Sequence, residues 1–135
     1  MNAPEGRYQP PKQTWLRKFE CAFVGIGVGV WRQSSFVVHG VCLLAILILA
    51  FALQLEAWRW AALLLASALV LVSELLNSAL ESLAKATTQQ YCPHVDRSLK
   101  IASGAVLLAA LFAIAIGAIV FWTPMIDLLT PSTTD

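Results

Sequence analysis

Apolar residues run almost unbroken through three stretches of this chain, and in a fourth stretch they alternate with charge at helical spacing. The unbroken stretches cover residues 36–55, 57–85 and 99–122. Each is long enough, as a helix, to cross a hydrocarbon core of about 30 Å, which takes roughly 20 residues. The pattern therefore predicts three transmembrane helices. The fourth stretch, residues 14–33, sets Trp15, Phe19, Phe23, Ile26 and Val30 against Arg17, Lys18, Glu20 and Arg32. That arrangement predicts an amphipathic helix lying in the membrane surface. Gly25, Gly27 and Gly29 weaken it by about 1 kcal/mol each relative to alanine. Gly25 and Gly29, one turn apart, let a second helix or a ligand come close to its backbone.

Turn chemistry organises these elements into one unit, residues 14–124, between a polar, proline-rich tail at 1–13, expected to be disordered, and a short tail at 125–135. Residues 54–57 are few enough to make the first two spans antiparallel neighbours. The second connection, residues 87–97, is longer and polar, and Asp96 is expected to cap the helix that follows. Small residues, including Ala102, Ser103, Gly104, Ala109, Ala110 and Ala113, read as a packing face for that helix.

Composition agrees with the pattern. The chain is 59% hydrophobic and 13% charged, with mean hydropathy +0.72, against about 25% charged residues in soluble domains. This is an all-α integral membrane protein. A net charge of +1 gives no basic surface for nucleic acid, so lipid and membrane are the expected partners. Three cysteines imply no disulfide framework, and Cys92 with His94 falls short of the four ligands of a closed zinc site. Lysine and arginine cluster before the first span and around the second connection, which places both in the cytoplasm.

Against this background four polar residues stand out at the tail of the second span: Glu74, Asn77, Ser78 and Glu81. Their i, i+3, i+4, i+7 spacing puts them on one helical face. Glu74 lies 17 residues beyond Ala57, about 25 Å along a helix, near the cytoplasmic edge of the core. A solvated helix end would explain the stripe. So would use: a carboxylate near hydrocarbon is costly unless paired, solvated or employed. Glu74, the deeper acid, is the candidate base for a lipid hydroxyl. Glu81, nearer the cytosol, is placed to hold Mg²⁺, which takes one or two carboxylates plus phosphate oxygens. Asn77 and Ser78 can position substrate or phosphates, and phosphoryl transfer asks for little more.

The stretch Ser73-Glu-Leu-Leu-Asn-Ser-Ala-Leu-Glu81 resembles the signature of the prokaryotic diacylglycerol kinase family, which includes undecaprenol kinases. Flanking matches are Phe19-Glu-Cys-Ala-Phe with Gly25, Phe36 and His39, Tyr91 and Pro93, and Ala102-Ser-Gly-Ala-Val-Leu-Leu108. The resemblance covers about residues 15–122. It implies a homotrimer in the bacterial inner membrane, with a cytoplasmic N-terminus, one surface helix and three spans per protomer. It also implies transfer of the ATP γ-phosphoryl to the hydroxyl of diacylglycerol or undecaprenol with Mg²⁺. By position, Glu74 matches the general base, Glu81 the metal-binding glutamate, and Asn77 and Ser78 the polar residues beside them. The nucleotide side would involve Arg17, Gln33, Gly25, Lys85, Tyr91 and Lys100.

Departures from the family pattern fall on that nucleotide side. Gln33 stands where the family's surface helix ends in a second metal-binding glutamate, and Lys85 where bacterial diacylglycerol kinases often carry an aspartate. The family's Lys-Asp pair aligns with Leu99-Lys100. Compensation accounts for the set: fewer carboxylates attract Mg²⁺, while Lys85 and Lys100 supply fixed charge to phosphates. A scaffold turned to lipid binding or assembly, or to another lipid or phosphate donor, is the alternative expectation.

Overall fold

The computed structural model describes residues 14–32, 34–87 and 90–130, and every regular element among them is an α-helix. The tail at 1–13 and the nucleotide-side candidate Gln33 lie outside the described residues. The helices are α1 (Trp15–Arg32), α2 (Ser34–Ala52), α3 (Ala57–Thr87) and α4 (Pro93–Leu129). As expected, α2, α3 and α4 are long and apolar enough to cross a membrane.

The turn between α2 and α3 is a Schellman motif, the termination in which a left-handed residue lets two amides return to the last helical carbonyls. Gln54 takes the left-handed conformation with φ 48°. Its N–H donates to the Phe51 carbonyl and the Leu55 N–H to the Ala50 carbonyl, both at 3.1 Å. The apolar contact that accompanies such motifs is present, because Ala50 and Leu55 are both buried in one cluster with Leu63 and Val120. Glu56 then starts α3, its carbonyl accepting the Arg59 and Trp60 amides. The corner fixes α2 and α3 side by side.

Helix α4 is longer than its apolar run and corrects three expectations. It begins at Pro93 rather than at residue 99, because proline suits the first turn of a helix, where no N–H is needed. Cys92, not Asp96, is its N-cap residue; Asp96 sits in the first turn and pairs with Lys100 at 2.9 Å, an i,i+4 bond that supports the polar start. At the other end the helix passes through Pro124 to Leu129, so the C-terminal tail is shorter than expected. Proline at 124 has no N–H for the Val120 carbonyl. The Arg59 guanidinium, reaching across from α3, donates to that carbonyl instead. Helix continuation through the proline is thus tied to a side chain 61 residues before Val120.

Helices α3 and α4 form the main packed pair. The less exposed positions of α4 include Ala102, Val106, Ala109, Ala113, Ile116 and Val120, a helical stripe. Ser103 and Gly104, expected on that face, are exposed. On α3 the buried positions are Leu63, Ala66, Val70, Glu74 and Asn77. The polar residues at the end therefore occupy core positions that, by period, belong to the apolar stripe.

Candidate functional site

The surface helix meets α3 at the level of this polar end. A Cβ on Gly29 would lie 2.5 Å from Leu75 Cδ2, so α1 comes close to α3 there, and a larger residue would require the end of the Leu75 side chain to turn aside. Nothing comparable crowds Gly25, which instead lines an open groove of about 1070 Å³ between α1 and α3. The groove takes Arg17, Glu20 and Gly25 from α1 and Ser78, Glu81 and Lys85 from α3. Its charged groups are mixed in sign, two cations and two carboxylates facing a common space. Such a surface can receive an anion together with a divalent cation.

Glu74 is 4% exposed and Asn77 7%, so both are part of the packed interior and not of a solvated helix end. A buried carboxylate needs hydrogen-bond donors. Ser35, the second residue of α2, supplies one: its hydroxyl donates to Glu74 Oε1. Phe36 beside it is buried and holds that end of α2 in place. One turn further along α3, Asn77 Nδ2 donates to Glu81 Oε1 at 3.1 Å. The bond fixes which end of the amide faces Glu81. Asn77 Oδ1 and the Ser78 hydroxyl, both buried, have no hydrogen-bond partner among the described residues. Each such atom costs about 1–3 kcal/mol when left bare.

A second hollow of about 430 Å³ lies between the ends of α3 and α4 and is lined by Glu81, Lys85, Tyr91, Val95 and Leu99 among others. Glu81 and Lys85 therefore form a ridge shared by both spaces. Of the candidates read from sequence, the fold brings Glu74, Asn77, Ser78, Glu81, Lys85, Arg17 and Tyr91 to this end of the bundle. Lys100 lines neither space and is paired with Asp96. Among the described residues no group of three histidine, cysteine, aspartate or glutamate side chains comes together as a metal cluster. The donor set around Glu81 still suits Mg²⁺, which completes its shell with phosphate oxygens and water.

Two residues were missed by sequence reasoning. Glu20 falls on the groove face of α1, three residues after Arg17 and in helical register with Val24 and Val28. A helical projection of α1 finds it. Ser35 has no such signal, because its partner lies 39 residues away.

Comparison with known proteins places these features in a family. The model of the prokaryotic diacylglycerol kinase family matches residues 20–121. A diacylglycerol kinase of Synechocystis sp. (strain ATCC 27184 / PCC 6803 / Kazusa) is 36% identical over 115 residues, 84% of this chain but 66% of the relative. The chain thus spans just under two thirds of that protein. An undecaprenol kinase of Bacillus subtilis (strain 168) is 29% identical over 110 residues, 78% of this chain and 89% of the relative.

Proposed function

The chain belongs to the prokaryotic diacylglycerol kinase family, and on that premise we propose that it is a membrane lipid kinase, transferring the γ-phosphoryl of ATP to the primary hydroxyl of diacylglycerol or undecaprenol. The observation that carries the proposal is Glu74: a carboxylate buried at a core position, held by a hydroxyl donor, one turn from a charged groove.

In the proposed reaction the lipid hydroxyl approaches Glu74, which takes its proton as the oxygen attacks the γ-phosphorus. The bond from that phosphorus to the bridging oxygen breaks, and ADP leaves with the electron pair. Asn77 fixes Glu81, and Ser78 lines the groove beside it as the residue to position substrate. Arg17 and Lys85 face the phosphates from opposite walls of the groove. Glu81 would hold Mg²⁺, which neutralises phosphate charge when bound. Tyr91, in the adjoining hollow, borders the space open to the rest of the nucleotide. The site lies at the cytoplasmic face of a bacterial inner membrane in this reading, with the N-terminus on the same side. The proposed assembly is a homotrimer.

The test is label transfer from γ-labelled ATP with Mg²⁺ to diacylglycerol and, separately, to undecaprenol, by purified protein in lipid. Transfer to one lipid, lost at least a hundredfold in Glu74→Gln while native mass spectrometry still gives three copies, is the expected result. Silence with both lipids in an assembled protein would turn the reading toward a lipid-binding subunit or another phosphate donor.

A further inference from the structure

We infer that Ser35 is a positioning residue for the catalytic carboxylate, an inference that rests on the reading of Glu74 as the base. A glutamate side chain turns about three bonds, and a base that wanders is seldom within reach of the hydroxyl it must deprotonate. Ser35 removes that freedom at one oxygen. Its O–H donates to Glu74 Oε1, which leaves Oε2 as the atom that takes the lipid's proton.

Where Ser35 stands makes this constraint more than a local bond. It is on α2, whereas Glu74 is on α3, so the carboxylate is fixed between two spanning helices. Buried Phe36, next in sequence, anchors the same turn of α2. A single residue separates α2 from α1, and α1 is the groove wall that carries Arg17 and Glu20. The groove wall and the donor that aims the base therefore belong to one continuous stretch of chain. Serine is suited to the task because its short side chain holds the hydroxyl within two bonds of the backbone.

Kinetics of six variants in lipid decide the matter, each with the better acceptor and saturating ATP. Ser35→Ala is expected to lower kcat about tenfold with KM for the lipid within about twofold, since the bond aligns the reacting groups and does not hold substrate. Ser35→Thr, which keeps the hydroxyl, recovers most of the turnover. Ser35→Cys, near in size and a weak donor, shows the loss even if the alanine variant fails to assemble. In Glu74→Asp, where the carboxylate is drawn back by one methylene, adding Ser35→Ala costs less than about twofold. Full turnover in both Ser35→Ala and Ser35→Cys, with Glu74→Gln inactive, would overturn this inference alone. An equal loss in the Glu74→Asp background would make Ser35 a structural residue and also overturn it. An active Glu74→Gln would remove the base and the positioning role together.

Discussion

Glu74 and Asn77 are polar side chains at positions that packing reserves for apolar ones, which is why they were legible in the sequence. The stripe Leu63, Ala66, Val70, Glu74, Asn77 keeps a helical period while its chemistry changes. Period and polarity together single these residues out, and the burial of Glu74 and Asn77 sets them apart from a solvated helix end. Ser35 was not legible as a site residue in that way, because its significance comes from another helix. Lys85 and Lys100, by contrast, looked equivalent in the sequence and are separated by the fold. Lys85 lines both spaces beside Glu81, whereas Lys100 is held by Asp96. Compensation for lost carboxylates is accordingly expected from Lys85 alone. Lys85→Ala should raise KM for ATP about three- to tenfold, and Lys100→Ala should leave it within about twofold. Equal effects in a titration of ATP at fixed lipid would refute the distinction.

At the scale of elements, hydropathy found the three spans but not where the third one ends. The polar connection expected over residues 87–97 turns helical from residue 93, through a proline at the first turn and an i,i+4 ion pair. Hydropathy reports what a segment dissolves in, and these residues lie beyond the apolar run. Past Trp122 the helix continues because Arg59 serves the carbonyl that Pro124 cannot. This pairing predicts a suppressor. Arg59→Ala should destabilise the bundle by about 1–3 kcal/mol, the cost of baring a buried acceptor. Pro124→Ala restores an N–H to the Val120 carbonyl and should recover much of that loss. Thermal unfolding in detergent, followed by helical circular dichroism, measures both. If the double variant is no more stable than Arg59→Ala, the carbonyl is not what Arg59 serves.

Seen whole, the single chain is thin. Seven hydrophobic residues are buried among those described, while large apolar side chains on all four helices remain exposed. In the membrane, lipid or other apolar surface must cover them. The helices differ in length: α2 has 19 residues, α3 31 and α4 37, about 28, 46 and 55 Å. Helix α2 is therefore the ruler of the molecule, bounded by a rigid corner at one end and by the surface helix at the other. Its longer neighbours can tilt or emerge; it has no slack. A bilayer thicker than α2 would submerge one of its ends, and the end that yields is the one bearing Ser35. Acyl-chain length then becomes a control on turnover through hydrophobic mismatch, independent of which lipid is phosphorylated. In vesicles of monounsaturated phosphatidylcholines, activity should peak at intermediate chain length and fall in the longest. The fall should vanish in Ser35→Ala, where there is no bond left to stretch. A flat profile in the unaltered protein would mean that the surface helix rises and sinks with the membrane, carrying α2 and Glu74 as one body.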